Sequence, residues 1–337
     1  MDKKVIFAVA GSGKTTYIIK SLSADKRSLI VTYTTANYDN LRQKITSRFN
    51  GIWPANVTLM TYFSFLYGFC YKPFLSDKHK AKGVIYRANE NRSYRQTDLG
   101  YYMTQNRYLY SNRLALLLEK EGVLDDIKLR INTYFDEFII DEVQDIAGRD
   151  FTFLENLMEN PLNMLFVGDF YQHTFDTSRD GKANGTLFDD KKKYEARFTK
   201  KGFLIDNTTL QNSWRCSKTI CNYINDHIGI EISSNRPAED DTAIEFVDDE
   251  KRIMSILADK NIIKLHYQNG AKFGCCHKNW GETKGEDHYK DVCVMLNKTT
   301  AKKRTAGKLL ELPPPTKNKL YVAITRARGN VYLVNDF

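Results

Sequence analysis

The sequence contains no apolar run long enough to span a bilayer, and no signal peptide precedes its first apolar segment. We therefore expect a protein without a membrane segment. Its six cysteines are scattered, and the adjacent Cys275 and Cys276 lack the gap that separates the paired ligands of a zinc site. Buried free thiols are the favoured reading over a structural metal. Because unpaired cysteines are typical of a reducing compartment, the sequence predicts a cytoplasmic location.

The chain also lacks internal repeats and low-complexity tracts, and its 337 residues are enough for two modest domains. Basic residues outnumber acidic ones, giving a formal net charge of +9 and a pI near 9.0. This balance is typical of proteins that bind a polyanion such as a nucleic acid. Many basic proteins bind no polyanion, so the charge alone does not assign a function.

Short apolar segments alternate with helical patterns along the chain. Before residue 210 the predicted strands are residues 5–7, 28–33, 57–60, 138–140 and 164–167. After it they are residues 244–247, 262–267, 292–296 and 331–334. Short apolar strands that alternate with helices are typical of buried parallel sheets. The sequence therefore predicts an α/β fold with a parallel sheet in each of two domains.

We predict that residues 1–65 and 137–209 form the first domain and that residues 210–337 form the second. Residues 66–136 depart from the alternating pattern and are predicted to form a small insertion subdomain on the first domain. This insertion interleaves aromatic and basic residues, among them Tyr86, Arg87, Tyr94 and Arg95. Such a mixture suits single-stranded nucleic acid, which stacks its bases on aromatic rings. A small subdomain with a solvated basic face is an equally good alternative.

The segment AVAGSGKTT lies between the first predicted strand and a helical pattern, which is the context of a phosphate-binding loop (P-loop). Glycines let backbone amides approach phosphates, a lysine reaches the β- and γ-phosphates, and a hydroxyl binds Mg²⁺. Ala8 replaces the first glycine of the usual pattern. The sequence predicts ATP as cofactor, bound by Ala10, Gly11, Ser12, Gly13, Lys14, Thr15 and Thr16, with Thr15 as a ligand of Mg²⁺.

A second chemical motif follows the fourth predicted strand, where Asp141 and Glu142 are adjacent. Ligands of parallel sheets bind at the carboxyl ends of the strands, so both carboxylates are expected near the nucleotide. One carboxylate can bind the metal while the other orients or deprotonates the attacking water. We assign Asp141 to Mg²⁺ and Glu142 to the water.

The arrangement of motifs resembles superfamily 1 DNA helicases of the UvrD/Rep type over nearly the whole chain. DEVQD (residues 141–145) is similar to the second motif of that family. Further segments match the family in order: TYTTANYDNLRQKI, LMTYFSF, VGDFYQ, LQNSWRCSKTI, GETKGEDHYKDV and LYVAITRAR. The resemblance implies two RecA-like P-loop domains.

The resemblance also implies roles for individual residues. Gln172 is expected to sense the γ-phosphate, and Arg215 and Arg326 are expected to act as arginine fingers. Trp214 is expected to stack on adenine, with Gly285 and Glu286 near the ribose. The implied nucleic-acid contacts are Tyr33, Thr34, Thr61, Tyr62, Phe63 and Phe175. Two arginines supplied across a cleft act only when it is shut, so we expect ATP binding to close the domains and hydrolysis to open them.

The chain departs from the family pattern in several places. No glutamine-bearing segment that reads adenine precedes the first strand, so Trp214 is expected to be the main adenine contact. Gly281 replaces a common histidine, and Glu286 lies one position earlier than the acidic residue of many relatives. Only residues 216–280 lie where UvrD/Rep proteins carry a large insertion. The sequence therefore predicts a compact form of the helicase.

The predicted function is an ATP-dependent translocase or helicase on single-stranded DNA, and the resemblance implies movement from 3′ to 5′. A second hypothesis is a nucleic-acid-gated ATPase that regulates a partner nuclease. The missing insertion motivates it, and no nuclease-type cluster is visible in the sequence. A third hypothesis is a superfamily 1 RNA helicase, although DEVQD and NSWRCS favour the DNA branch.

Overall fold

The computed structural model describes residues 2–89, 91, 93–174, 183–237, 241–286 and 288–336. Within them the chain is an α/β protein with a six-stranded and a five-stranded parallel sheet, which confirms the predicted fold class and is consistent with two RecA-like domains. The strands are β1 (Lys3–Phe7), β2 (Ser28–Thr32), β3 (Val57–Thr61), β4 (Gly83–Ile85), β5 (Tyr108–Tyr110), β6 (Glu137–Asp141), β7 (Asn163–Gly168), β8 (Leu204–Asp206), β9 (Asn212–Ser213), β10 (Ser233–Ser234), β11 (Ile244–Phe246), β12 (Ile263–His266), β13 (His277–Asn279), β14 (Val292–Leu296) and β15 (Val331–Asn335).

Helices connect these strands. They are α1 (Lys14–Ser21), α2 (Thr35–Arg48), α3 (Tyr62–Ser64), α4 (Lys72–His79), α5 (Leu99–Tyr102), α6 (Ser111–Lys120), α7 (Leu124–Tyr134), α8 (Gly148–Leu157), α9 (Lys191–Thr199), α10 (Lys218–Tyr223), α11 (Glu250–Ala258), α12 (Lys298–Thr305) and α13 (Pro314–Ile324). Phe65–Tyr71 and Ile224–Ile228 are π-helical, and Val143–Asp145, Phe170–Gln172, Gly270–Phe273 and Leu309–Glu311 form 3₁₀ turns. Among the described residues, no helix combines the length and apolarity that crossing a membrane requires.

The six-stranded sheet has the order β3-β2-β6-β7-β1-β8. Every residue of β2 is buried, as expected for an apolar strand in the middle of a parallel sheet. In the ladder, Thr32 is paired with Thr61 on one side and with Asp141 on the other, and Asp141 is paired with Val167. These four residues therefore lie side by side at the carboxyl edge of the sheet, where ligands of such folds bind.

The five-stranded sheet has the order β11-β15-β14-β12-β13. All five residues of β14 are buried, and its core includes the fully buried Trp280, whose Nε1 donates a hydrogen bond to Leu265 O at 2.9 Å. The short strands β9 and β10 are paired in parallel, with Ser213 opposite Ser234. Trp214 and Arg215 follow directly after β9. This pairing fixes the start of the segment that carries both predicted nucleotide contacts.

The chain divides into two compact units. The first consists of the described residues within 1–6, 15–168 and 176–206, and the second of those within 7–14, 169–175 and 207–337. This division differs from the predicted domains in three short segments, because residues 7–14, 169–175 and 207–209 were assigned to the first domain from the sequence. The second unit therefore contains most of the predicted phosphate loop together with Gln172.

The predicted insertion, residues 66–136, contains a π-helix, α4 to α7 and the paired strands β4 and β5. Several of its aromatic rings are core residues: Phe69, Tyr71 and Tyr102 are buried. Tyr86 is 71% exposed and Tyr108 is 40% exposed. The interleaved pattern thus mixes packing residues with exposed ones, and only the exposed rings can stack on a base.

Candidate active site

The loop between β1 and α1, here called the glycine loop (residues 9–14), has a backbone that requires glycine. Gly11 has φ +71° and Gly13 has φ +90°, both in the left-handed region that glycine adopts at little cost. A Cβ added to Gly11 would also lie 2.6 Å from Arg215 Cβ and 2.8 Å from Ser213 Oγ. Gly11 is therefore fixed both by its backbone and by its close packing against the Arg215 segment.

Hydrogen bonds attach the glycine loop to the rest of the second unit. Val9 N donates to Leu210 O at 3.0 Å, and Trp214 N donates to Gly11 O at 2.9 Å. Ala10 N donates to the hydroxyl of Tyr321 at 2.9 Å. Because a backbone amide carries one hydrogen, the Ala10 amide already has its acceptor. Ser12 N likewise donates to Val9 O at 3.3 Å, so the amides of Ala10, Ser12 and Trp214 are all directed toward protein.

The remaining loop residues fit a polyphosphate. Ser12 Oγ is buried and has no hydrogen-bond partner among the described residues, which leaves a polar atom for a ligand. Lys14 begins α1, whose first turn contains no acidic residue, and its side chain is 9% exposed. Thr15 is half-buried and Thr16 is exposed. A buried cation beside the amino end of a helix is a favourable environment for phosphate oxygens.

A buried tyrosine connects the glycine loop to the segment that carries Gln172. The Tyr321 hydroxyl accepts from Ala10 N and donates to Asp169 Oδ2 at 3.1 Å, while Asp169 Oδ1 accepts from Tyr171 N at 3.1 Å. Burial, together with the nearby Asp169 carboxylate, raises the pKa of Tyr321 well above its ordinary value. Gln172 itself is 3% exposed. Sequence reasoning missed Tyr321, although a tyrosine inside the LYVAITRAR segment was the available signal.

Both predicted arginine fingers are buried and are hydrogen-bonded to backbone carbonyls. Arg215 is 7% exposed and Arg326 is 1% exposed. Arg215 Nη1 donates to Thr325 O at 3.0 Å. Arg326 donates from Nε to Val322 O and from Nη1 to Thr283 O, both at 3.2 Å. Carbonyl dipoles thus stabilise two buried charges, and the main chain fixes where each guanidinium lies.

Trp214, Gly285 and Glu286 are the remaining predicted nucleotide contacts of the second unit. Trp214 is 65% exposed, so its ring can stack on a base. Gly285 has φ +84°. Glu286 accepts from Lys278 Nζ at 2.5 Å and from the Tyr289 hydroxyl. Burial alone would raise the pKa of Glu286, but these two donors outweigh it and lower that pKa, so the carboxylate stays ionised.

In the first unit, Asp141 and Glu142 begin what is here called the carboxylate turn (residues 141–145). Asp141 ends β6 and is 3% exposed. Glu142 has φ +59°, a left-handed conformation that is strained for any residue with a Cβ. Strained backbone of this kind is concentrated at functional sites. Gln144 Nε2 donates to Glu142 Oε2 at 2.6 Å, a contact that sequence reasoning missed.

The predicted nucleic-acid residues of the first unit lie at the carboxyl ends of β2 and β3. Tyr33, Tyr62 and Phe63 contact one another with ring centroids 5.5–6.2 Å apart, and Tyr86 packs edge-on against Phe63 at 5.1 Å. We call these four residues the aromatic cluster. Tyr62 is only 2% exposed, so it supports the other rings rather than presenting its own face. Tyr86, from the insertion, was not among the predicted contact residues.

Threonine hydroxyls cap the two helices that begin beside this cluster. Thr34 Oγ1 caps α2 by accepting from Asn37 N at 3.1 Å, and Thr61 Oγ1 caps α3 by accepting from Ser64 N at 3.3 Å. Burial and the nearby Asp150 raise the pKa of both Tyr33 and Tyr62, so these rings stay neutral. Phe175, the last predicted contact, lies outside the described residues.

One departure from the family pattern has a structural explanation in the second unit. A Cβ added to Gly281 would lie 3.1 Å from both Cβ and Oγ1 of Thr174. A histidine at this position would therefore displace the segment that follows Gln172. The absence of a side chain at Gly281 lets that segment pack closely against the GETKGEDHYKDV region.

The solved structures that resemble this fold include two of Arterivirus nonstructural protein 10, a helicase. The complex of that protein with DNA has a TM-score of 0.52 and 14% sequence identity, over 99% of this chain and 61% of the viral one. The structure without DNA has the same TM-score and identity, over 98% and 59%. The chain thus spans about three fifths of the length of these helicases.

The other two comparisons found no relatives. No protein-family model matches the sequence, and no curated protein matches it. The similarity therefore concerns the fold, at an identity too low to distinguish one branch of helicases from another. The chain thus shares the fold of these helicases.

Proposed function

We propose that this protein is a nucleic-acid-dependent ATPase of superfamily 1 that moves along a single strand. The observation that carries the proposal is the contact of the glycine loop with Arg215. Gly11 packs against Arg215 Cβ, and Trp214 N is hydrogen-bonded to Gly11 O. A phosphate-binding loop attached to a buried arginine is the arrangement that phosphoryl transfer requires, because both must meet the same phosphate chain.

We assign the residues of the site as follows. Gly11, Ser12, Gly13 and Lys14 would hold the phosphates of ATP, Thr15 and Asp141 would hold Mg²⁺, and Trp214 and Glu286 would contact the nucleoside. When bound, Mg²⁺ would neutralise charge on the phosphates. Glu142 would orient and deprotonate the attacking water, and Gln172 would contact the terminal phosphate. Arg215 and Arg326 would stabilise negative charge that develops during transfer.

We propose the aromatic cluster as part of the nucleic-acid site. Tyr33 and Phe63 are partly exposed, and Tyr86 adds a largely exposed ring from the insertion. Aromatic rings bind single strands without regard to sequence, because every base has a face on which to stack. The UvrD/Rep type, 3′ to 5′ movement and a preference for DNA remain proposals that rest on motif resemblance. The viral helicase of similar fold has a structure in complex with DNA.

The test of this function is ATP hydrolysis with and without single strands. Oligo-dT is expected to stimulate the wild-type rate strongly and oligo-U less, whereas Lys14→Ala is expected to abolish binding and hydrolysis. Lys20→Ala, which alters an exposed lysine of the same helix, is the matched control. A wild-type rate that no nucleic acid changes would contradict the proposal. Equal stimulation by both oligonucleotides would contradict only the preference for DNA.

A nucleic-acid-gated ATPase that regulates a partner nuclease is the second candidate. The described residues between Arg215 and Lys284 form β10 to β13, α10, α11 and short π- and 3₁₀-helical segments of the second unit, which leaves little chain for an accessory subdomain. Unwinding of a forked duplex by the isolated protein decides between the two candidates. Efficient unwinding would contradict the regulatory role, and stimulated hydrolysis without unwinding would favour it. A cytoplasmic location is part of either proposal, since all six cysteines are free thiols.

A further inference from the structure

Gln144 is a buried amide at the centre of the carboxylate turn. Its side chain is completely buried, and Nε2 donates to Glu142 Oε2 at 2.6 Å. Hydrogen bonds to an ionised acceptor are roughly twice as strong as those between neutral groups. The buried Gln144 amide is thus directed at Glu142, the carboxylate to which the proposed function assigns activation of the attacking water.

Space for this amide depends on Gly168, the last residue of the neighbouring strand β7. A Cβ at Gly168 would overlap Gln144 Oε1 and would lie 2.9 Å from Val143 Cγ1. Gly168 is not among the described glycines with positive φ, so its backbone does not demand glycine. The requirement for glycine here comes from the space that Gln144 occupies.

The backbone of Glu142 makes this support necessary. A left-handed residue at the end of a strand turns its side chain away from the strand direction, and the following 3₁₀ turn is closed by Asp145 N donating to Glu142 O at 2.9 Å. The main chain thereby fixes the Glu142 Cα position, while rotation about the side-chain bonds is left to other contacts. A hydrogen bond to one carboxylate oxygen limits that rotation.

We propose that Gln144 is a positioning residue, which together with the space provided by Gly168 fixes the orientation of the Glu142 carboxylate for catalysis. The proposal rests on the assignment of Glu142 in the proposed function. Misplacing a catalytic group by about 1 Å can lower a rate roughly 100-fold. A positioning role therefore affects the rate of hydrolysis and leaves nucleotide binding intact.

The experiment replaces Gln144 by methionine, which has a similar length and lacks the donor. The kcat for ATP is expected to fall about 10- to 100-fold with KM changed less than about twofold. Gly168→Ala is expected to lower kcat in the same way by displacing the amide. The double variant is then expected to lose less than the product of the two single losses, because both act on one contact.

Asn160→Leu is the matched control. Asn160 is a buried amide of the same unit, and its Nδ2 donates to Lys128 O at 3.2 Å. It is expected to lower thermal stability as Gln144→Met does without lowering kcat. A wild-type kcat in Gln144→Met, or a loss of kcat matched by a rise in KM, would overturn the proposal. If Gln144→Met does not fold, Gln144→Asn replaces it, since the shorter amide cannot reach Glu142.

A second measurement does not depend on hydrolysis and separates this proposal from the proposed function. Urea unfolding of Gln144→Met, Glu142→Gln and the double variant gives the coupling between the two side chains. The proposal expects Gln144→Met to change the unfolding equilibrium constant about 10-fold less in the Glu142→Gln background than in wild type. Additive effects would overturn it even if the protein hydrolyses ATP. A coupled pair in a protein that does not hydrolyse ATP would contradict the proposed function alone.

Discussion

Two regions of the molecule hold their charged groups in different ways. One is the glycine loop together with Arg215 and Arg326, and the other is the carboxylate turn. In the second unit, Arg215 and Arg326 donate to backbone carbonyls, so main-chain geometry sets the position of each cation. In the first unit, a side-chain amide and a strained backbone hold Glu142. The cations are held by hydrogen bonds to main-chain carbonyls, whereas Glu142 accepts a hydrogen bond from the replaceable side chain of Gln144. Substitutions can test this difference in both regions.

The largest effect is expected from Arg215→Ala. Losing an arginine that stabilises the transferring phosphoryl group costs about 10³- to 10⁵-fold in kcat. Arg215→Lys is expected to recover little, because an ammonium cannot reproduce the planar hydrogen bonds of a guanidinium. Steady-state hydrolysis and fluorescent-nucleotide binding measure the two effects separately. Arg252→Ala, at an exposed arginine of the same unit, is the control and should match wild type.

A smaller effect on stability is expected from Gly11→Ala. The alanine Cβ adds the cost of a left-handed backbone, about 1–2 kcal/mol, and an overlap with Arg215 that costs about 1–3 kcal/mol more. Gly51 has φ +85° with no atom near its added Cβ, so Gly51→Ala carries the backbone cost alone. Urea unfolding of both variants measures the difference. Equal losses would show that the packing of Gly11 against Arg215 contributes nothing.

Tyr321→Phe tests the hydrogen bonds that attach the glycine loop to the Gln172 segment. Removing the hydroxyl takes the acceptor from Ala10 N and a donor from Asp169, at a cost of about 1–3 kcal/mol in the free energy of unfolding. The double variant with Asp169→Asn is expected to lose less than the sum of the single losses. If the losses in the free energy of unfolding of the two single variants simply add in the double variant, the Tyr321 hydroxyl and Asp169 are not coupled, which would contradict the proposed connection.

The smallest effect is expected outside both regions, in the aromatic cluster. Tyr86→Ala should weaken binding of a single strand by about 1 kcal/mol, or about fivefold in Kd, because it removes one stacking ring. Tyr108→Ala alters another exposed tyrosine of the insertion that is not part of the cluster, and it should leave Kd unchanged. Fluorescence anisotropy with labelled oligo-dT measures both. The same loss in both variants would argue for a general charge or shape effect.

Local sequence patterns predicted the elements of the fold well. Apolar segments such as the one that became β14 are buried on both faces of a parallel sheet, so their composition alone identifies them. The loop around Gly11 was predictable because only glycine adopts its backbone at little cost. In these cases the physical cause acts within a few neighbouring residues, and the sequence therefore contains it.

The features that the sequence did not predict depend on contacts between distant segments. The hydroxyl of Tyr321 reaches Ala10, which is 311 residues away in the chain. The burial of Tyr71 and Tyr102 depends on the packing of neighbouring elements, and no local pattern separates them from the exposed Tyr86. Assignment of residues 7–14 to the second unit has the same origin, since their contacts are with segments beyond residue 206.

The most direct test of the account is Glu142→Gln, which keeps the shape of the side chain and removes its charge. We predict that this variant binds ATP with wild-type affinity and loses about 10²- to 10⁴-fold in kcat, as expected when a general base is removed. Hydrolysis under saturating ATP and oligo-dT, measured beside nucleotide binding, gives both numbers. A wild-type rate in Glu142→Gln would contradict the assignment of the carboxylate turn to catalysis.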